Sequence, residues 1–371
     1  MTHKESSWMN DELRMFRDAA RSFFNAEFVP HRERWAKQGM IDREAWIKAG
    51  EMGLLFPSLP EQYGGVGGDF AFEAVVTEEQ CRAGFSDFGS TVHSIAAGYI
   101  LAFGSEEQKH YYLPKVVSGE MVVAVAMTEP CAGSDLQGIR TTAVREGDEY
   151  VINGSKTFIT NGHHSDIIVV VAKTDKTLGA KGISLIIVEK AKVTGLDVGK
   201  PLDKLGKKCA DTTELFFDNV RVPVANLLGD EPGQGFYQLM KELPRERMFI
   251  GVAGVAVMEK AIELTVDYVK ERKAFGKPLL ALQNTRFKLA EAKTEATIAR
   301  VFVDNCIDRV IDGTLDVETA CMAKWWVSQK QCEIVDECLQ LHGGYGYMME
   351  YPIAQMYADS RVAKIYGGAN E

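Results

Sequence analysis

The residues that decide the fold are Met127-Thr128-Glu129-Pro130-Cys131-Ala132-Gly133-Ser134-Asp135. They follow an apolar run, Met121 to Ala126, that is typical of a buried strand. Hydroxyls, small residues and a proline then occur together, which indicates a rigid turn whose N–H groups can cradle polar ligand atoms. Small polar residues are common in all turns. Composition alone therefore leaves an ordinary strand-to-loop turn as the alternative.

The spacing of apolar residues, and with it the expected secondary structure, differs on the two sides of this stretch. Helical spacing of apolar residues precedes it, as in the segment from Glu12 to Glu27. Short β-branched runs separated by turn residues follow it, which favours an antiparallel barrel or sandwich. Helical patterns return after Gly235. We predict an α+β multidomain protein, with an N-terminal helical domain (1–121), a middle antiparallel β-barrel or sandwich domain (122–233) and a C-terminal helical domain resembling a four-helix bundle (234–371).

Length, charge and cysteine content limit the function classes. A chain of 371 residues is too long for one ordinary core. The 42 basic and 52 acidic residues give a net charge of −10, which argues against nucleic acid as a partner. Seven cysteines without a CxxC pair indicate neither a disulfide framework nor a metal site.

The sequence also limits the compartment. The first ten residues lack the pattern of a signal or transit peptide. No apolar run approaches the length of a membrane span. We therefore expect a bacterial cytoplasmic protein, or a mitochondrial matrix protein if the chain is a processed organellar one, with no integral membrane segment.

Three motifs occur in a family-specific order. The opening stretch reads TEP-x-AGSD, Glu271 to Lys277 contains Arg-x-x-Phe-Gly, and Gln340 to Tyr347 reads QLHGGYGY. Together with the helix–sheet–helix order, they closely resemble the acyl-CoA dehydrogenase family along nearly the whole chain. The segments Lys241 to Arg247 and Ile365 to Glu371 are most similar to its long-chain branch. In that family the pattern continues as a helix, so we expect further residues after Glu371.

The resemblance implies an activity, a cofactor and partners. Such enzymes oxidise a fatty acyl-CoA to the trans-2-enoyl-CoA: a base removes the α-proton, and the β-hydrogen leaves as hydride to N5 of FAD. A medium- or long-chain acyl-CoA would be the substrate, and an electron-transferring flavoprotein would accept the electrons. The family's shared cofactor site implies a homotetramer, arranged as a dimer of dimers.

The resemblance also implies which residues bind FAD. Thr128 and Thr160 would supply hydroxyls to the ring edge, Phe158 would form an aromatic wall, and Arg272 would pair with the pyrophosphate. Without the resemblance, Arg272 reads as a solvated charge at a helix end. The full predicted FAD set is Val125, Met127, Thr128, Gly133, Ser134, Phe158, Ile159, Thr160, Arg272, Phe275, Gln283, Gln340, Leu341, His342, Gly343, Gly344, Ala369 and Glu371.

The catalytic base is the point at which the sequence departs from the commonest family pattern. Many members have Tyr-Glu-Gly where this chain has Tyr366-Gly367-Gly368. Either the chain is inactive, or another carboxylate is the base. The resemblance to long-chain and isovaleryl-type members implies Glu246, directly before Arg247. Without the resemblance, the sequence around Glu246 indicates an ordinary surface charge on a helix.

The predicted substrate contacts surround these two positions. The backbone N–H of Gly367 would stabilise the enolate oxygen, because an α-proton is otherwise too weakly acidic for a carboxylate to remove. The predicted substrate set is Ser134, Tyr237, Pro244, Arg245, Arg247, Tyr366, Gly367 and Gly368. Pro244 stands where some relatives use Asp. Small residues between 88 and 102 indicate either a deep pocket or close helix packing.

Two alternatives to the long-chain reading remain. An isovaleryl-type or other branched-chain dehydrogenase would share the base position. A non-catalytic acyl-CoA-binding homologue would explain the missing Tyr-Glu-Gly carboxylate. Loss of turnover with retained FAD in a Glu246→Gln variant would separate catalysis from binding alone.

Overall fold

The computed structural model describes residues 5–371, which form three successive groups of elements. Residues 5–120 form six α-helices: α1 Asp11–Phe23, α2 Arg32–Gln38, α3 Arg43–Glu51, α4 Phe70–Arg82, α5 Ser90–Phe103 and α6 Glu106–Val117. Residues 121–233 form seven strands: β1 Val123–Ala126, β2 Thr142–Glu146, β3 Glu149–Thr160, β4 Ile167–Lys173, β5 Ile183–Glu189, β6 Leu196–Val198 and β7 Thr212–Pro223. Residues 234–371 form α7 Gly235–Glu271, the hairpin β8 Lys273–Ala274 and β9 Lys277–Pro278, α8 Gln283–Ile311, α9 Val317–Leu341 and α10 Pro352–Ser360.

The seven strands of the middle part form one curled sheet of mixed direction. Its strand order is β1-β4-β2-β3-β7-β6, with β5 on the other side of β4. The pairs β1–β4 and β2–β4 are parallel, and the remaining pairs are antiparallel. The predicted β domain is therefore confirmed, but its purely antiparallel pairing is not. The long chain segment between β1 and β4 supplies the crossover that a parallel pair requires.

The strand β7 joins two runs that the sequence presents separately, Glu214 to Phe217 and Val220 to Val222. Between them Asn219 adopts φ +53°, a left-handed conformation that asparagine tolerates. The amide N–H of Asn219 donates to Asn153 Oδ1 across the β3–β7 pair at 2.8 Å. This local irregularity bends the strand without ending it, which explains why a turn-like residue appears inside it.

The long helix α7 is the central helix of the C-terminal part. It packs against α9, α8 and α4. A Cβ at Gly254 would come within 2.6 Å of Val327 Cγ1, so the absence of a side chain there lets α7 and α9 approach closely. The helix α5 packs on β1 and also on α7, and thus connects the sheet with the C-terminal helices.

This architecture confirms the predicted α+β fold with helical, β and helical parts. The predicted boundaries at 121/122 and 233/234 stay predictions. Within residues 5–371, none of the helices combines the length and the apolar character that a membrane span needs.

Candidate active site

The stretch after β1 and the end of β3 form a cradle, defined here as residues 127–134 and 157–160. The amide N–H of Thr157 donates to the Thr128 carbonyl at 2.9 Å. The Lys156 ammonium donates to the Met127 carbonyl, also at 2.9 Å. These two bonds hold the turn against β3, so the structure brings together the two segments that the family resemblance assigns to FAD.

A buried ion pair lies beneath the cradle. Lys156 Nζ donates to Glu129 Oε1 at 2.8 Å, and both side chains are almost fully buried. The amides of Arg140 and Thr141 also donate to this carboxylate, at 2.6 and 3.0 Å. Burial alone would raise the pKa of Glu129, but Lys156 and the other donors outweigh it and lower the pKa. Burial lowers the pKa of Lys156 to about 8.

The open face of the cradle presents an exposed aromatic ring and free space. Phe158 has φ +59° at a bulge of β3, and 67% of its surface is exposed. An aromatic side chain held outward in a rare backbone conformation indicates a binding surface. A Cβ at Gly133 would contact nothing within 4 Å, so space remains beside the turn. Among residues 5–371, no cluster of His, Cys, Asp and Glu is arranged for a metal ion.

Residues 240–247 of α7 differ in burial from the rest of the helix. These residues are partly or fully exposed, whereas most residues of the helix around them are buried. Glu246 lies in this stretch and is partly covered. The phenol of Tyr99, on α5, donates a hydrogen bond to Glu246 Oε1. Oε2 of Glu246 makes no hydrogen bond to any residue in 5–371, so this oxygen has no protein donor there.

The pKa of Glu246 is raised to about 7. Burial is the main cause, because a desolvated carboxylate favours its neutral form. The neighbouring Glu242 raises the pKa further, while the Tyr99 hydrogen bond and the charges of Arg245 and Arg247 lower it. The result is a carboxyl group that exchanges its proton near neutral pH.

The loop at residues 366–370 is held by cations through its carbonyls. Arg247 Nε donates to the Gly367 carbonyl at 3.2 Å, and Lys324 donates to the Gly368 carbonyl. Lys324 also donates to Asn370 Oδ1 at 2.8 Å. The N–H of Gly367 makes no hydrogen bond within residues 5–371, so this donor stays available.

A side chain at position 367 would strain the backbone and require Ile250 to move. Gly367 has φ +66°, which favours glycine. A Cβ there would come within 2.4 Å of Ile250 Cδ1. The space next to the loop that a carboxylate at 367 would enter is therefore occupied by Ile250.

Arg245, a predicted substrate contact, is engaged elsewhere. Its Nη2 lies 3.3 Å from Glu73 Oε1 and 3.1 Å from Ser58 Oγ. Burial is the main influence on Glu73 and raises the pKa of its carboxyl. The pair thus ties α7 to α4, and a contact of Arg245 with substrate stays a prediction. Near it, Ala96 and Ala97 of α5 are fully buried, which favours close helix packing over a deep pocket there.

A second cluster of predicted cofactor residues lies at the far end of α7. The Arg272 guanidinium stands over the Tyr345 ring, 5.5 Å from its centroid. The His342 ring stacks on Tyr268 at 4.3 Å. Phe275, with φ +52°, is 90% exposed. The structure therefore brings Arg272 close to Tyr345, within the 340–345 segment.

The remaining predicted residues lie at the surface of these sites or beneath it. Ile159 and His342 are buried, and the following are partly or fully exposed: Val125, Ser134, Thr160, Tyr237, Pro244, Gln283, Gln340, Leu341, Gly343, Gly344, Tyr366, Gly368, Ala369 and Glu371. Cys131, where the family usually has glycine, lacks the positive φ that would require one.

Sequence reasoning missed two residues of the site. Tyr99 lies 147 residues from Glu246, so no local spacing could connect them. Lys156 reads as an ordinary strand lysine. The only signal for it was the buried Glu129 in the opening motif, because a buried carboxylate needs a cation or several donors.

Family models match all three parts of the fold. Residues 10–120 match "Acyl-CoA dehydrogenase, N-terminal domain", residues 124–220 the middle domain, and residues 233–371 the C-terminal domain. The chain is 47% identical to the long-chain specific acyl-CoA dehydrogenase, mitochondrial, of Sus scrofa over 365 residues, which is 98% of this chain and 84% of that protein.

Solved structures of acyl-CoA dehydrogenases have the same fold over nearly the whole length of this chain. An acyl-CoA dehydrogenase from Geobacillus kaustophilus is 45% identical with a TM-score of 0.95, over 99% of this chain and 97% of that one. A glutaryl-CoA dehydrogenase from Mycobacterium smegmatis, solved in complex with FADH2, is 27% identical with a TM-score of 0.91, over 98% and 92% of the two chains. The chain therefore belongs to the acyl-CoA dehydrogenase family, flavin-dependent oxidoreductases that act on CH–CH bonds.

Proposed function

We propose that the chain is an FAD-dependent dehydrogenase of medium- or long-chain fatty acyl-CoA, with Glu246 as its base. The observation that carries this proposal is the raised pKa of Glu246, together with its hydrogen bonding. Glu246 has a carboxyl group with a pKa of about 7 and one oxygen without a hydrogen-bond donor in residues 5–371, in a chain whose other family base position is glycine. This arrangement argues against a non-catalytic homologue, because a binding protein has no use for a poised base.

The chain's own groups divide the work of proton abstraction. Glu246 Oε2 takes the α-proton of the bound thioester. The free N–H of Gly367 donates to the thioester oxygen and stabilises the negative charge that develops there. Arg247 and Lys324 hold the Gly367 and Gly368 carbonyls, so the loop presents this N–H without reorganising. When bound, FAD supplies the acceptor for the β-hydrogen and its electron pair.

The cradle residues would hold the flavin ring. Thr128 and Thr160 offer hydroxyls, Phe158 offers an aromatic face, and the Lys156–Glu129 pair supports the turn from below. Arg272 and the 340–344 segment would bind the pyrophosphate and adenosine of a second copy's FAD. A homotetramer, built as a dimer of dimers, would complete every site.

An electron-transferring flavoprotein is the proposed acceptor of the electrons, by resemblance to the family. The cytoplasmic or matrix location likewise stays a prediction from the sequence.

Anaerobic mixing with a series of straight-chain acyl-CoA thioesters, from butyryl-CoA to stearoyl-CoA, tests the proposed reaction. We expect the visible flavin absorbance of the purified protein to bleach, fastest with the longer chains, and the enoyl-CoA to form in equal amount. Isovaleryl-CoA is the matched branched-chain substrate. Faster bleaching with isovaleryl-CoA would replace the straight-chain assignment, and no bleaching with any thioester would contradict the dehydrogenase function.

A further inference from the structure

The contact between Tyr99 and Glu246 joins two separate helical parts of the molecule. Tyr99 is fully buried on α5, and its ring stacks on Phe103 at 6.5 Å. Its O–H donates to Glu246 Oε1, whereas Oε2 has no partner within residues 5–371. A buried phenol with an immobilised ring fixes the direction of the bond that it donates. One carboxylate oxygen is therefore held, and the other has no donor in the described part of the chain.

The helix that carries Tyr99 is fastened to the strand that leads into the cradle. His93, also on α5, accepts the Val123 N–H at Nδ1 at 3.1 Å, and its Nε2 donates to the Val116 carbonyl at 3.0 Å. Burial lowers the pKa of His93 to about 4, so the ring is neutral and these roles are fixed. Asn161 Nδ2 donates to the carbonyls of Gly89 and Val123, at 2.9 and 3.2 Å.

These bonds give α5 two fixed ends. Its N-terminal part is bound to β1 beside the cradle, and Tyr99, two turns farther along, is bound to the base on α7. The position of Glu246 relative to the cradle is therefore set through α5. Productive proton abstraction needs this geometry to be held within a fraction of an ångström, because small misplacements reduce rates strongly.

We propose that Tyr99 is a positioning residue that holds Glu246 Oε1 from helix α5 and thereby aims Oε2 at the α-carbon of the substrate. This inference rests on the proposed function, in which Glu246 is the base. Tyr99 itself takes no proton from the substrate and forms no bond to it.

The other charged groups around Glu246 cannot replace this bond. Glu242, Arg245 and Arg247 share its helix, and none of them makes a hydrogen bond to it. From the packed elements, Glu73 of α4 is engaged with Arg245, and Lys324 of α9 with the loop at 366–370. Removal of the Tyr99 hydroxyl would therefore leave Glu246 without a hydrogen-bond donor.

The Tyr99→Phe variant of the flavin-loaded enzyme tests the proposal, because it removes one oxygen and keeps the ring. With palmitoyl-CoA as probe, we expect kcat at high pH to fall about tenfold, with KM within about threefold of wild type. We also expect the acidic limb of kcat/KM to move to higher pH by about one unit, since the lost bond favoured the charged carboxylate.

Tyr112→Phe is the matched control. Tyr112 is also a buried tyrosine of the N-terminal helices, and no hydrogen bond of its hydroxyl occurs within residues 5–371. We expect its kcat, KM and pH profile to equal those of wild type. A second variant keeps the hydroxyl: a fluorinated tyrosine at position 99 is a stronger donor and should move the acidic limb to lower pH.

The outcomes separate this inference from the proposed function. If Glu246→Gln is inactive while Tyr99→Phe keeps both the kcat and the pH profile of wild type, the role of Tyr99 is overturned and the base assignment stands. If Glu246→Gln retains turnover, the proposed base is wrong and the inference fails with it. A purely structural role for Tyr99 would also overturn the inference. In that case Tyr99→Phe would lose flavin or melt at a lower temperature, and the pH profile of the fluorotyrosine variant would not shift.

Discussion

At the scale of single residues, the function depends on one carboxyl group under opposing influences. Burial pushes the pKa of Glu246 upward, and Tyr99 and two arginines pull it downward. The value of about 7 is their balance. At neutral pH a carboxyl group with such a pKa is about half ionised, and its carboxylate is a stronger base than an ordinary one.

The pH dependence of flavin reduction follows from this pKa. Only ionised Glu246 can accept the proton, so kcat/KM for palmitoyl-CoA should rise about tenfold per pH unit in the acidic range and level off above about 7. Stopped-flow bleaching over a pH series measures it. A profile that is flat down to about pH 5, near the ordinary carboxyl value, would contradict the assignment.

Residue roles differ in how far the sequence could predict them. Glu246 was found through the resemblance and the glycine at 367, and its burial agrees with that prediction. Its pKa could not be predicted, because it depends on Tyr99, a distant residue in sequence. A substrate contact of Arg245 stays a prediction, and its pairing with Glu73 could not be predicted, because it depends on how α4 packs against α7.

At the scale of elements, the cradle depends on β3 supplying a buried lysine beneath the turn after β1. Lys156 both holds the Met127 carbonyl and compensates Glu129. The residue types predicted a turn that can cradle polar atoms, whereas only the resemblance to the family implied that the ligand is a flavin. The parallel partners of β1 and β2 could not be predicted, since period-2 patterns identify strands and not their neighbours.

The variant Lys156→Met tests the support of the cradle. Removal of one partner leaves a buried uncompensated carboxylate, so we expect a loss of about 3–5 kcal/mol of stability and of most bound flavin. The melting temperature and the ratio of flavin to protein measure both effects. Adding Glu129→Gln should restore part of the stability. Exposed Lys200→Met is the control, and equal flavin loss in both variants would count against the account.

At the scale of the whole molecule, a buried charge cluster joins all three parts of the fold. Arg32 lies 4.0 Å from Asp87 and 3.6 Å from Asp359 of α10. The amide of Cys209, from the loop before β7, donates to Asp87 at 2.9 Å, and Lys207 of the same loop donates to Asp359. Burial and the nearby Asp87 raise the pKa of Asp359. The helix–sheet–helix order was readable from the sequence, but this junction was not.

The variant Arg32→Met tests this junction. A carboxyl whose pKa is raised by folding stabilises most when protonated, and that stability is lost as the pH rises through the folded-state pKa. Without Arg32 the loss should grow, so we expect the melting temperature to fall by about 5 °C or more at about pH 8 and by less at about pH 5.5.

Arg34→Met is the control for this junction, because Arg34 forms a surface pair with Asp42 and half of its side chain is exposed. Its effect should be small at both pH values. An Arg32→Met effect that is equally small, or that is larger at the acidic pH, would speak against the junction.

The identity of the base is the central claim, and single-turnover flavin reduction in Glu246→Gln tests it most directly. The variant keeps the size and hydrogen-bonding shape of the side chain and removes only its ability to accept a proton. We predict that it binds flavin and palmitoyl-CoA as wild type does, and that the flavin bleaches at least about a thousandfold more slowly. Bleaching within about tenfold of the wild-type rate would contradict the account.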